Sequence, residues 1–438
     1  MKTDLDELLE RAERAASGLT GPSVLGRVCG VEGCLVRVRL PEPRMGDWVE
    51  LVPPDGGPGL PAEVTGFDGE DVWCSPVGPL TGLGPRWSVR PGIPFGVIAS
   101  RGLLGRVLDG LGRTMDGGPD LTGDRLPYDA PAPSPLARPL ADRPFVTGIR
   151  AIDGLCTLAR GQRVGLFAGS GVGKSHLMGQ LARQAEADVT VVCLVGERGR
   201  EVVEFLHDNL PEADRSSCVL VVATSDQPAL VRALAPLCAT SIAEWFRDRG
   251  NHVLLLVDSL TRMARALREI HLQMGQAPAR RGYPPSVFAG LPRLLERAGN
   301  QETGSITGIY TVLVEGSDLE EPVADEVRGL LDGHLVLSRE LAEVGHYPAL
   351  DIPRSLSRMS GRAAGHGRQE LARRVRSWLG ARAAARDLLR VGAVTPGADP
   401  LLDEALARAD RLDGFLRQGP EAATFEETWR RLEDLIRS

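Results

Sequence analysis

The chain has 438 residues, a formal net charge of −7, a pI near 5.7 and 25% charged residues. That length exceeds one ordinary hydrophobic core and predicts two or three domains. The acidic balance provides no overall positive field for nucleic acid or an anionic membrane surface. Seven scattered cysteines with no Cys-x-x-Cys pair read as reduced thiols rather than a disulfide frame or a zinc site.

The start Met1-Lys2-Thr3-Asp4 is not a signal peptide, and apolar runs such as Val253–Val257 fall far below membrane-spanning length, so a cytoplasmic protein is expected. Residues 4–16 place Leu5, Leu8, Leu9 and Ala12 on one helical face. A free helix of that length is marginal in water, so it docks either on its own domain or on a partner protein. Between 24 and 98, alternating runs such as Cys34–Leu40, Trp48–Leu51 and Ala62–Phe67 lie between Gly, Pro and Asp turns. This pattern predicts a small β-barrel or sandwich. The stretch Pro127–Pro139 reads as an extended linker. From about 140 to 360, β-branched runs alternate with helical patterns, the signature of an α/β domain with a parallel sheet. After about 365 the strands vanish. Asp399-Pro400 opens a helix, and Thr424 with Glu427 forms a capping box for a last helix carrying Phe425, Trp429, Leu432 and Ile436. The resulting division is an amphipathic segment at 1–20, a barrel at 21–98, a P-loop domain at 99–365 and a helical domain at 366–438.

The chemistry concentrates where the run Val164–Ala168 enters Gly169-Ser170-Gly171-Val172-Gly173-Lys174-Ser175-His176. A glycine-rich turn between a strand and a helix aims successive backbone N–H groups at one anion. Lys174 can reach the β- and γ-phosphates of a nucleoside triphosphate, and the Ser175 hydroxyl can hold Mg²⁺. Ala168 replaces the first glycine of the strict pattern and is small enough for the turn. His176 falls on the first helical turn, where it removes no phosphate donor.

Two further strand ends carry acids at the carboxyl edge, where open parallel sheets bind ligands. Val253–Val257 ends in Asp258-Ser259, and Asp258 suits either the Mg²⁺ position or a helix N-cap. Val189–Val195 ends in Gly196-Glu197-Arg198-Gly199-Arg200-Glu201. Glu197, on a strand expected beside the phosphate loop, can orient a water in line with the γ-phosphate. Its other reading is an ion pair with Arg198 or Arg200. Glu201 can steady an arginine from the opposite side. Phosphoryl transfer generally wants a second cation, often an arginine from a neighbouring subunit.

Taken together, Gly102–Gly112, Arg150–Gly154, Ala168–Ser175, Gly196–Glu201, Ala223–Asp226, Asp258–Arg262, Gly282–Phe288, Thr311–Gly316, Leu331–Arg339 and His346–Asp351 resemble the ATPases of type III protein export, flagellar and injectisome. These are relatives of the catalytic β subunit of rotary ATPases. The resemblance implies a RecA-like P-loop ATPase domain between a barrel and a helical domain, working with ATP and Mg²⁺ as a homohexamer. It implies that Glu197 is the catalytic carboxylate with Arg198 and Glu201 beside it, that Tyr347 packs on the adenine, and that Arg358 is a finger reaching the adjacent site. It also implies a stalk-like partner at Gly282–Pro285, a stator-like regulatory partner at residues 4–16, an export gate and chaperone–substrate complexes. Membrane association, at the inner face, would run through partners only. Ser317 stands where relatives usually carry a second acid.

Two other enzymatic roles and one structural role fit the same loop. A rotary synthase subunit would need a sister subunit and an acidic pore-facing motif that residues 370–438 lack. An RNA translocase would need a basic N-terminal platform, and this N-terminus is acidic. A structural ring subunit commonly loses the catalytic acid, whereas Lys174, Ser175, Glu197 and Asp258 are all present.

Overall fold

The computed structural model describes residues 26–314 and 319–437. The amphipathic segment at 4–16 and Ser317 lie outside the described residues. Two compact units result, Met1–Pro94 and Phe95–Ser438.

In the first unit, β1 (Gly26–Glu32), β2 (Leu35–Arg39), β3 (Trp48–Val52), β4 (Leu60–Asp68), β5 (Asp71–Pro76) and β6 (Ser88–Pro91) close into a barrel in the order β1-β2-β5-β4-β3-β6. Closure fits the sequence because alternate residues have one interior to fill. Val36, Val38, Val49, Leu51, Val64, Val72 and Val89 are buried inside it. Bulges between Val28 and Gly30 and between Val64 and Gly66 supply the strand bending that closure requires.

The second unit is built on a sheet whose main path comprises β7 (Val107–Asp109), β8 (Arg163–Ala168), β9 (Val189–Val195), β10 (Cys218–Ala223), β11 (His252–Asp258), β12 (Ser305–Leu313), β13 (Gly333–Val336) and β14 (Leu356–Ser357). Their order is β14-β13-β8-β12-β11-β9-β10-β7, with β14 antiparallel to β13 and every other neighbouring pair parallel. Every residue of β9, β10 and β11 is buried, as expected of parallel strands covered on both faces. The covering helices include α1 (Arg150–Leu155), α2 (Lys174–Gln184), α3 (Gly199–Glu204), α4 (Ala229–Arg247), α5 (Leu260–Gln273), α6 (Pro285–Leu295), α7 (Pro322–Leu330) and α8 (Arg339–Glu343). Helix α4 has the length and hydropathy of a membrane span, although no such span was evident in the short apolar runs. Its most apolar window is 89% buried in the fold.

The chain ends in α9 (Ser360–Ala364), α10 (His366–Ala384), α11 (Arg386–Arg390), α12 (Pro400–Ala407), α13 (Ala409–Leu416) and α14 (Phe425–Arg437). Asp399 accepts from the N–H groups of Leu401 and Leu402, and Thr424 from that of Glu427, so both helix-start signals act as caps. Trp378, Leu412, Phe415, Trp429 and Leu432 join the same apolar core as Leu166, Leu177, Leu181 and Ile152. The helical end is therefore packed onto the region that carries the glycine-rich turn.

The Pro-rich stretch 127–139 is not a free linker. It runs within the second unit, where Tyr128 donates to the Leu111 carbonyl at 2.7 Å and the buried Arg297 donates to the Tyr128 carbonyl at 2.5 Å. Ser241 donates to the Pro127 carbonyl at 2.9 Å and Arg138 to that of Ala298 at 2.7 Å. Proline fixes an extended backbone in either setting; donors elsewhere in the chain decide whether that backbone is pinned.

His252 is 7% exposed at the head of β11, with Nδ1 2.5 Å from Ser305 Oγ, and burial lowers its pKa to about 4. An unfolded histidine binds its proton near pH 6.5, so between pH 6.5 and 4 the unfolded chain binds more protons and stability falls on acidification. The expected contribution is about 3 kcal/mol across that window. Thermal melts of His252→Gln should show a shallower acid slope than the parent, whatever its starting stability.

Candidate active site

The site begins with β8, whose buried run ends at Ala168. Gly171 (φ 76°) and Gly173 (φ 88°) take left-handed backbone that L side chains avoid, which turns the chain directly into α2 at Lys174. Enlarging Gly173 is strained: besides its left-handed backbone, a Cβ there would lie 3.1 Å from Cε1 of Tyr347, so the ring would have to give way. Ser175 and His176 follow on the exposed first turn of α2.

Lys174 projects between two carboxylates. Its ammonium lies 3.3 Å from Glu197 Oε1 and is in direct contact with Asp258 Oδ2. Glu197 is 8% exposed and Asp258 2%, so these charges meet in a largely dehydrated setting where each depends on its partner. Asp258 Oδ1 also accepts from Thr311 Oγ1 at 2.6 Å, across the adjoining ends of β11 and β12. On its far side Glu197 Oε2 forms an ion pair with Arg262 Nη1 at 2.5 Å. The Arg262 stem covers Gly196, whose φ of 67° turns the end of β9; a Cβ on Gly196 would lie 2.8 Å from Arg262 Cδ.

The strand of Glu197 is not beside the phosphate loop. Strands β12 and β11 lie between β8 and β9. The two acids still converge, because the six residues from Ala168 to Lys174 carry the start of α2 across the sheet edge, and the lysine side chain spans the remainder. Arg262 and Thr311 were quoted in the sequence without a role, since nothing in their spacing places them against Glu197 or Asp258.

Arg198 points away from this cluster, with its side chain 79% exposed and 3.9 Å from Glu201. Glu201 instead reaches back to the Arg198 N–H as a helix cap at 3.3 Å. Its carboxyl is held below the usual range, first by hydrogen bonding with Glu197, then by the Arg198 N–H and the Arg262 and Arg198 guanidiniums, against the opposing effect of burial.

Tyr347 is 42% exposed, its ring against Gly173 and its hydroxyl donating to the Ala342 carbonyl at 3.4 Å. The Tyr347 carbonyl accepts from the Gln418 N–H at 3.0 Å. Gln418 belongs to the turn between α13 and α14, which sequence reasoning passed over. Gln180 on α2 donates to the Gly419 carbonyl at 2.9 Å, Gln184 to that of Pro420, and Arg150 to that of Phe415 at 3.1 Å. Beside Tyr347, burial first and then Arg417 lower the pKa of His346, so its Nδ1 can accept from Arg417 Nε at 3.4 Å.

Arg358 lies elsewhere. Its N–H bonds the Asp332 carbonyl at 3.0 Å, and the Asp332 N–H bonds the Arg163 carbonyl, so all three share one level at the start of β8. The phosphate loop leaves the other end of that strand, about 16 Å away along it, and Arg358 sits two strands over from it with β13 between. Arg358 is exposed and pairs with no carboxylate among the described residues. In the Gly282–Pro285 turn, Tyr283 is buried against Phe288 beneath the Arg268 guanidinium, leaving Arg280 and Arg281 exposed.

Gly173→Ala meets both a left-handed backbone and the Tyr347 ring. It should weaken nucleotide binding by about tenfold or more, read by titration with a fluorescent nucleotide.

Residues 148–357 match the model of the ATP synthase alpha/beta family nucleotide-binding domain, and 364–434 that of the T3SS EscN ATPase C-terminal domain. A type 3 secretion system ATPase of Pseudomonas syringae pv. tomato is 48% identical over 423 residues, covering 94% of this chain and 93% of the relative. A flagellum-specific ATP synthase of Pseudomonas aeruginosa is 45% identical, covering 99% and 98%. Among solved structures, the assembled ATPase EscN from the enteropathogenic E. coli type III secretion system superposes with a TM-score of 0.88 at 43% identity, over 94% of this chain and all of the other. EscN in complex with its central stalk EscO gives 0.85 at 42% identity, with the same coverage.

Proposed function

The chain belongs to the ATP synthase alpha/beta nucleotide-binding family and, within it, to the ATPases of type III secretion and flagellar export, and on that premise we propose how its site divides the work. The protein is an ATP hydrolase of a type III protein export apparatus. The observation that carries the residue assignment is the Lys174 ammonium held between Glu197 and Asp258, a cation kept by two acids until phosphate replaces them.

When ATP enters, the N–H groups of Gly169 to Ser175 and the Lys174 ammonium take the β- and γ-phosphates. Lys174 then releases Asp258. With the Ser175 hydroxyl, Asp258 offers two hard oxygen donors, a set that would hold Mg²⁺. Among the described residues no group of three or more His, Cys, Asp or Glu residues could cage a metal by itself, in keeping with an ion that arrives with the nucleotide. Bound there, Mg²⁺ would neutralise charge on the phosphate oxygens. Thr311 holds Asp258 in place by hydrogen bonding one of its two oxygens.

Glu197, freed from Lys174, is the base that orients the attacking water and takes up its proton. Arg262 fixes the other carboxylate oxygen. Arg198, exposed and paired with Glu201, is joined to the cluster of its own chain through that acid and through its backbone position next to Glu197. Tyr347 supplies a face for the adenine. Arg358 cannot cross the sheet to its own phosphate loop, which supports a finger offered to the next subunit of a homohexameric ring. Partners follow from the same reading: a central stalk at the Gly282–Pro285 turn, a stator-like protein at residues 4–16, and the export gate with chaperone–substrate complexes at the cytoplasmic membrane face.

Glu197→Ala should lower turnover by about 10²-fold or more while leaving nucleotide binding largely intact, and Arg358→Ala by about 10³-fold or more. Mixing the two inactive variants is decisive for the trans assignment. A subunit with Glu197 but no Arg358, placed beside one with Arg358 but no Glu197, rebuilds a complete interface. Phosphate release should therefore reappear in the mixture; a mixture as inactive as its components would remove the finger assignment.

A further inference from the structure

A loop that turns its N–H groups inward onto phosphate turns carbonyls outward, and these need donors of their own. The outward carbonyl of Ser170 accepts from Nη2 of Arg339 at 3.4 Å. The same nitrogen would lie 3.9 Å from a Cβ on Gly169, so the guanidinium rests against the outer lip of the loop. Arg339 is the first residue of α8, a turn capped by Ser338 Oγ accepting from the Leu341 N–H. The segment that begins with Arg339 ends with Tyr347 against Gly173. Its two ends thus touch the two ends of the phosphate loop.

Charge sharpens the geometry. Arg339 pairs with no carboxylate among the described residues, whereas its neighbour Glu340 contacts Arg386. The guanidinium is exposed, so it contributes little to the core. An uncompensated cation behind an anion-binding loop favours the bound phosphates through the loop's own dipoles.

We propose that Arg339 is a positioning residue of the nucleotide site, fixing the lip of the phosphate loop from outside and raising affinity for the nucleotide without touching the reacting atoms. This rests on the ATPase reading above. The test uses the full-length chain, ADP titration and turnover against ATP concentration. Arg339→Ala should raise the ADP Kd and the KM for ATP about five- to tenfold, with kcat within about twofold and an unchanged melting temperature. Arg339→Lys, which keeps the charge but loses the planar fork, should recover part of the affinity. Glu340→Ala serves as the control, because it frees the segment from Arg386 without touching the loop. Parental Kd and KM in Arg339→Ala would overturn the proposal. So would an equal affinity loss in Glu340→Ala, or a loss confined to kcat. A parent chain that binds no nucleotide would overturn the ATPase reading together with this inference.

Discussion

A single lysine holds the acidic strand ends of the central sheet together. Without Lys174, Asp258 and Glu197 would be two largely buried carboxylates converging from separate strands, each costly to keep ionised away from water. With it, their charges are shared, and the end of β11, the end of β9 and the start of α2 are drawn to one point. On the proposed mechanism the arrangement also primes the chemistry. A cation already desolvated by protein transfers to phosphate at a smaller cost than one stripped from water, and its departure frees both acids at once.

The surroundings serve that point in concentric fashion. Thr311 and Arg262 immobilise the outer oxygens of the two acids, so that neither carboxylate rotates when the lysine leaves. Buried β-branched strands give those residues a rigid base, and left-handed glycines give the loop its shape without strain. The barrel is a separate compact unit with a core of its own.

Much of this was legible in the chain. Runs such as Val189–Val195 and Val253–Val257 announce buried parallel strands because they are too short and too β-branched for helices. Gly169–Ser175 announces an anion site because only a few local conformations satisfy its glycines. Strand order was not legible: the expectation that Glu197 borders the phosphate loop failed because spacing along the chain carries no information about which strand is inserted between two others. Arg262, Thr311, Arg339 and Gln418 were silent for a related reason. Each acts on a residue dozens to hundreds of positions away, and no local pattern marks an arginine or threonine as the partner of a distant acid. Tyr347 and Arg358 were named only through likeness to other proteins, since an exposed tyrosine and an edge arginine look ordinary by themselves.

The docking of Gln418, Gly419 and Pro420 onto α2 and Tyr347 bears on how the site is braced. These residues lie some 240 positions beyond the phosphate loop in the chain. Closing so long a loop costs chain entropy, but that cost grows only with the logarithm of loop length, so a distant segment can brace the site almost as readily as a nearby one. The flank behind Tyr347 is therefore built from contacts of high sequence separation, the kind that slows folding more than it weakens the folded state.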